Sequence, residues 1–311
     1  MASNSMEGYV SLFPFSIGFI CLFLFIIVFV CIVFSIYYTK QFLAFVGILV
    51  CARPFLDIIQ NTLILFFKEH YEKIKENLRE SFIVKGNLTI DKQAIYSFHP
   101  HGLYSYTIVF YMFNSLSDWP YKNIKFLIRD VIYNTLICIS NTFDIFKESA
   151  KCMVSSDYAS IQSVLKEGKS LSLCLGGQTE MFYLTDYKIV ANVKGRRGIF
   201  KLSIETGVPI VPVLVYGENE LSGDVYGVKI PFFNLTFTIP SKRFFNNIAS
   251  VMNASLKHKI YTHVGDPIEV GEARVATEEE IATLRERYIQ ALNDLYKNTK
   301  PEGYAEHLEI I

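Results

Sequence analysis

From Gly8 to Thr39 the chain runs for thirty-two residues without one Asp, Glu, Lys or Arg. An α-helix needs about 20 apolar residues to cross a bilayer core, so this run predicts a membrane anchor. A core helix of a water-soluble domain rarely goes so far without charge. A secretory signal fits poorly, because the preceding segment carries Glu7 and no Lys or Arg, and the run outlasts an h-region. A second apolar stretch, Phe42 to Phe67, is interrupted by Arg53, Pro54 and Asp57. It predicts a kinked or re-entrant helix with the break at Pro54. Lys40, Arg53 and Lys68 come after the first span and no basic residue precedes it, which places the rest of the chain on the cytosolic side. The expected division is a membrane anchor over residues 1–67 and a cytosol-facing domain over 68–311.

Charge elsewhere is balanced, with 30 basic and 30 acidic side chains, so the chain has no electrostatic footprint for nucleic acid. The six cysteines include no C-x-x-C pair and suit scattered thiols in a reducing compartment. Sequons at Asn87, Asn234 and Asn253 carry information only if the domain faces a lumen.

Beyond Lys68, β-branched and aromatic runs alternate with helical patterns, which predicts an α/β domain. Strands are expected at Ala94–Phe98, Leu171–Leu175, Ile210–Tyr216 and Ile260–Val264. One helix should open at Ser156 and end near Glu167 against Gly168. A second should cover Gly198–Thr206 and stop at Gly207. Thr277 and Glu280 form a capping-box pattern ahead of Ile281, Leu284, Tyr288, Leu292 and Leu295, which share one helical face. That last helix reads as scaffold.

Three stretches can carry chemistry. His99-Pro100-His101-Gly102 sits at a strand end, where two imidazoles beside a glycine suit proton transfer. His101 is preferred over His99 as the base, because Gly102 leaves its surroundings open and Pro100 stiffens the turn. Two structural histidines, or an H-x-H metal site completed by His258 and His263, are the competing readings. No H-x-H-x-D continuation supports the metal, and none is assigned. Gly176-Gly177, also at a strand end, can turn backbone N–H groups toward an oxyanion, with Glu180 near enough to orient an imidazole. A plain tight turn explains the same residues equally well. Arg196 and Arg197, with Lys201 a turn further on, lie at a helix start suited to phosphate groups. A basic patch facing lipid headgroups is the alternative. Neither a G-x-S-x-G elbow nor a dinucleotide or Walker loop is present.

Taken in order, these stretches resemble the diacylglycerol acyltransferase type 2 family, which includes monoacylglycerol and wax-alcohol acyltransferases. His99 to Gly102 is identical to that family's hallmark tetrapeptide. Its long signature is matched at Arg196, Gly198, Lys201, Gly207, Val211, Pro212 and Gly217. Ile199, Ser203, Ile210 and Tyr216 are mild replacements, and Glu218-Asn219-Glu220 continues in register. Gly176-Gly177 with Glu180, Val264 to Ile268, and Thr277 to Tyr296 are also similar. The resemblance spans roughly residues 68–304. Ile128-Arg129-Asp130 departs from the family's Phe-Arg-Glu. Tyr104 and Tyr106 stand where the wider glycerolipid acyltransferases place the aspartate of H-x-x-x-x-D.

The resemblance implies a domain with a central mixed sheet flanked by helices, carrying N-terminal transmembrane or re-entrant helices. It implies an enzyme of the endoplasmic reticulum membrane, with access to lipid droplets, that takes acyl-CoA as co-substrate and uses no cofactor. The acyl group would go to a lipid hydroxyl, with diacylglycerol first and monoacylglycerol or a long-chain alcohol as alternatives. Expected partners are acyl-CoA, the lipid acceptor and membrane lipids, with self-association open. His101 or His99 would be the base, Glu180 its polariser, and Gly102, Gly176 and Gly177 the oxyanion turn. Arg196, Arg197 and Lys201 would hold acyl-CoA. A metal-dependent lipid hydrolase and a non-catalytic droplet protein are the readings from other classes.

Overall fold

The computed structural model describes residues 81–86, 92–102, 105, 107–108, 123–129, 133–134, 151–183, 188–222, 225–230, 235–240, 259–302, 304 and 307–311. The expected anchor, residues 1–67, lies outside them. Among the described residues no helix is long and apolar enough to cross a membrane.

A seven-stranded sheet organises the domain. Its members are β1 (Phe82–Lys85), β2 (Ile95–His99), β3 (Ile124–Ile128), β4 (Met153–Ser155), β5 (Ser170–Leu173), β7 (Ile210–Tyr216) and β10 (Ile260–Val264). Across the sheet they lie in the order β1-β10-β7-β2-β5-β3-β4. β7, β2, β5, β3 and β4 run parallel, while β10 is antiparallel to β7 and parallel to β1. The sheet is therefore mixed. Two small sheets join β6 (Lys188–Ala191) to β11 (His307–Ile310) and β8 (Val225–Ile230) to β9 (Leu235–Pro240).

β7 shows why this sequence makes a central strand. Its seven residues are all buried, as a strand covered on both faces requires. Ile210, Leu214 and Tyr216 enter one core with Ile95, Leu171, Phe200, Leu284 and Leu292. Val211, Val213 and Val215 enter the other with Tyr96, Phe98 and Phe126. At about 25 cal/mol per Å² of apolar surface, each such side chain stabilises the fold by roughly 1.5–3 kcal/mol.

Helices α1 (Tyr158–Lys166), α3 (Gly198–Thr206) and α5 (Glu278–Thr299) cover the first face. Asp157 caps α1 by accepting the Ser160 N–H at 2.9 Å. α3 stops at Gly207, whose φ of +69° is the left-handed conformation a helix terminus adopts at little cost in glycine. The capping box on α5 is formed, with Thr277 Oγ1 accepting from Glu280 N–H and Glu280 accepting from Thr277 N–H. Two short helices, α2 (Gln178–Met181) and α4 (Glu218–Ser222), come after β5 and β7.

The expected strands Ile210–Tyr216 and Ile260–Val264 and the helix Gly198–Thr206 match the observed bounds. β2 and β5 are displaced from Ala94–Phe98 and Leu171–Leu175. The shift in β2 has a chemical consequence: His99 is a strand residue, fully buried and registered with Leu214, rather than the first residue of the turn. The first helix starts two residues after Ser156, because Asp157 takes the capping position.

Candidate active site

Parallel β2, β5, β3 and β7 deliver their carboxyl ends to one edge of the sheet, where open α/β sheets bind ligands. The residues leaving that edge are His99 to Gly102, Cys174 to Glu180, Arg129, and Gly217 to Glu218.

Glu180 is the hub. It lies on α2, 1% exposed, and its carboxylate can only accept hydrogen bonds. Oε1 takes the His99 ring Nδ1–H and the Asn192 backbone N–H, each at 2.8 Å. Oε2 takes the His101 backbone N–H at 2.8 Å. The approach requires the two glycines before it. A Cβ on Gly176 would meet Glu180 Oε1 at 1.8 Å. Gly177 has φ +58° and ψ −157°, a region essentially reserved for glycine.

The two histidines are held differently. His99 is buried, with Nδ1 on Glu180 and Nε2 3.0 Å from the Tyr288 hydroxyl, which itself lies 2.8 Å from Ser97 Oγ. Both ring nitrogens are engaged. His101 is half-buried. Its Nδ1–H donates to the Gly102 carbonyl at 2.8 Å, which fixes Nε2 as the unprotonated nitrogen of a neutral ring. That Nε2 has no hydrogen-bond partner among the described residues. The His101 carbonyl accepts from Ser105 Oγ at 2.8 Å, with Ser105 at φ +48°. The imidazole oriented by the Glu180 side chain is thus that of His99, and His101 is reached through its main chain.

The remaining residues frame this turn. Gly177 N–H is spent on the Cys174 carbonyl at 3.1 Å, whereas Gly102 and Gly176 keep N–H groups without partners among the described residues. Cys174 Sγ lies 3.2 Å from Ser105 Oγ, and burial pushes its thiol far above the ordinary range, which leaves it inert. Glu218, 1% exposed, accepts from Thr107 N–H at 3.1 Å and Thr107 Oγ1 at 2.5 Å, gripping the chain just past the turn. Arg129 donates to Gln178 Oε1 at 3.1 Å; Asp130, beside it, lies outside the described residues.

Of the three expected acyl-CoA ligands, only Arg196 reaches the turn, where its guanidinium donates to the Gly176 carbonyl. Its Nε is buried and has no hydrogen-bond partner among the described residues. Arg197 is exposed and pairs with Glu278, and Lys201 lies 3.6 Å from Glu205 and over the Tyr158 ring. His263, considered for a metal, is buried, with Nε2 lacking a hydrogen-bond partner among the described residues and its ring edge-on to Tyr216. His258 lies outside the described residues. Among the described residues no three His, Cys, Asp or Glu are grouped to hold a metal ion.

Sequence reasoning passes over Tyr288, Asn192 and Ser97 as site residues. Tyr288 falls on the apolar stripe of a scaffold helix, and its hydroxyl is the one signal that it does more than pack.

An imidazole nitrogen presented at the carboxyl ends of parallel strands, on a turn braced by a buried carboxylate, defines an α/β enzyme equipped to move a proton. Residues 77–309 match the family described as diacylglycerol acyltransferase. The chain belongs to the diacylglycerol acyltransferase family, and it is an acyltransferase. It is 24% identical over 234 residues to diacylglycerol O-acyltransferase 2 of Dictyostelium discoideum, covering 71% of this chain and 70% of that protein. It is 27% identical over 238 residues to diacylglycerol O-acyltransferase 2A of Umbelopsis ramanniana, covering 70% and 65%. It is 25% identical over 235 residues to 2-acylglycerol O-acyltransferase 1 of Mus musculus, covering 70% and 68%. No solved structure matches the chain.

Proposed function

We propose that the chain transfers a fatty acyl group from acyl-CoA to the hydroxyl of diacylglycerol, giving triacylglycerol and CoA. The observation that carries this reading is His101, whose Nδ1–H is tied to Gly102 O and whose Nε2 is left to accept a proton. His101 Nε2 removes the acceptor's hydroxyl proton as that oxygen attacks the thioester carbonyl. The negative charge on the carbonyl oxygen is met by backbone N–H groups, with Gly102 and Gly176 the candidates. The tetrahedral intermediate then breaks its C–S bond, and the departing CoA thiolate takes the proton from the imidazolium. The base returns neutral. The reaction draws on no cofactor.

Glu180 accepts the His101 backbone N–H and so fixes the turn that aims the ring at the acceptor hydroxyl. Arg196 sits by the Gly176 turn for the thioester end of acyl-CoA, and Arg197, at the N-cap of α3, with Lys201 a turn further on, suits its phosphates.

Monoacylglycerol is the second reading, because the mouse 2-acylglycerol acyltransferase is as similar as the diacylglycerol enzymes. Labelled acyl-CoA offered with diacylglycerol, 2-monoacylglycerol or a long-chain alcohol separates these. Triacylglycerol as the main product supports the proposal, diacylglycerol or wax ester moves the acceptor, and no transfer to any of them ends it.

The site belongs at the cytosolic surface of the endoplasmic reticulum, with access to lipid droplets. The uncharged run Gly8–Thr39 and the basic residues after it support a membrane anchor with the cytosolic orientation. Oligosaccharide transfer occurs only in the lumen, so glycan on Asn87, Asn234 or Asn253 in microsomes would overturn the topology.

A further inference from the structure

The buried residues of α5 are Ile281, Leu284, Tyr288 and Leu292, and of these four side chains Tyr288 alone carries a polar atom. Its ring packs edge-on against Phe200, with centroids 5.6 Å apart, a contact phenylalanine would make equally well. A phenolic hydroxyl in such a core is costly unless it is hydrogen-bonded. It lies 3.0 Å from His99 Nε2 and 2.8 Å from Ser97 Oγ, and burial holds it protonated far beyond the usual tyrosine range.

A single chain of contacts therefore runs from Ser97 through Tyr288, His99 and Glu180 to the backbone N–H of His101. The Glu180 carboxylate can only accept, so the proton on Nδ1 of His99 faces it, and Tyr288 governs what the other nitrogen meets. We propose that Tyr288 is a positioning residue for acyl transfer: its hydroxyl locks the His99 ring, His99 locks the Glu180 carboxylate, and Glu180 sets the main chain of His101. This rests on His101 being the base. Without the hydroxyl, the His99 ring turns or changes tautomer, Oε1 loses its imidazole donor, and the carboxylate is held only by the N–H groups of Asn192 and His101.

Tyr288→Phe in the full chain, assayed in detergent-solubilised form, tests this. The expected result is a kcat lower by roughly 10- to 100-fold, the scale of a small misplacement of a catalytic group, with the KM for acyl-CoA unchanged. His99→Ala should lower kcat on its own, and adding Tyr288→Phe to it should cost nothing more, because Tyr288 acts only through His99. A wild-type kcat, or losses that multiply in the double variant, would overturn the proposal. If Tyr288→Phe does not accumulate, Ser97→Ala carries the same test against His99→Ala. An activity-independent readout keeps the reading separate from the proposed reaction. 15N spectra of histidine-labelled protein should show His99 protonated at Nδ1, with its signals displaced in Tyr288→Phe. Unchanged His99 signals refute the positioning role. Displaced signals in a protein that transfers no acyl group sustain the contact chain and remove the reaction instead.

Discussion

Glu180 and His101 meet through the main chain: Oε2 of the carboxylate accepts the His101 backbone N–H at 2.8 Å, while Oε1 accepts the ring N–H of His99. One buried acid thus holds two histidines by different atoms. The imidazole it fixes has no nitrogen left for substrate, and the one it holds only by the main chain presents Nε2. This asymmetry divides the roles of the two rings and makes them separable by experiment.

His101→Ala should lower kcat by about 10²–10⁴-fold, the usual contribution of a positioned base, with little change in thermal unfolding. His99→Ala should lower kcat measurably and also be less stable, because it strands Glu180 and Tyr288 at a cost of about 1–3 kcal/mol per buried group. Differential scanning alongside turnover checks both. An active His101→Ala beside an inactive, fully stable His99→Ala would transfer the role to His99.

Gly176→Ala should abolish activity, since its Cβ would occupy the place of Glu180 Oε1. Gly177→Ala introduces about 1–3 kcal/mol of backbone strain and should lower both activity and unfolding temperature. Lys194-Gly195 supplies the control, because a Cβ on Gly195 meets nothing within 4 Å among the described residues. If Gly195→Ala proved as damaging as Gly176→Ala, the steric account would be wrong.

The basic residues of the α3 start should separate kinetically. Arg197→Ala and Lys201→Ala should raise the KM for acyl-CoA more than that for the lipid acceptor. Arg196→Ala should lower kcat, because its guanidinium ties the Gly176 carbonyl in place. Equal rises in both KM values that track vesicle binding would point to lipid headgroups as the partner.

Acid should weaken the fold through His263. Burial, and then the neighbouring charge of Lys85, lower its pKa below the ordinary 6.5. Below that pH the unfolded chain binds a proton the folded chain resists. The stability contribution is therefore intact above about 6.5 and is lost as the pH falls toward the lowered folded value. Unfolding temperatures measured across this range should fall toward acid, and His263→Gln should flatten that part of the curve.

Where the local pattern is self-contained, the fold is legible in the sequence. β7 is an unbroken apolar run and β10 a short run of β-branched and aromatic residues around His263, each with turn residues beside it, and α3 and α5 carry their own stop and start signals at Gly207 and Thr277. The short strands β1, β3, β4, β6 and β11 have three to five residues each and too little pattern to be seen. His99 and Gly176 are legible as site residues by type, but not by job. The job depends on a tyrosine 189 residues away, and on a carboxylate folding back over a glycine. Periodicity marks the face on which Tyr288 lies and is silent about what that face meets.

The small sheet of β6 and β11 sets an order in time. Ile311 O accepts the N–H groups of Val193 and Lys194, and Lys188 pairs with Glu309 at 2.7 Å across a separation of 121 residues. The segment so braced contains Asn192, whose N–H anchors Glu180, and Arg196, whose guanidinium anchors Gly176. At about 5–20 residues per second, a ribosome makes β11 roughly 6–24 s after β6. Throughout that interval the edge of β6 that β11 will pair is open, and the loop that holds Glu180 and Gly176 lacks its outer strand. Chains arrested before His307 should therefore hold the histidines without the outer strand that braces Asn192 and Arg196, and their turnover should fall below that of chains carrying β11.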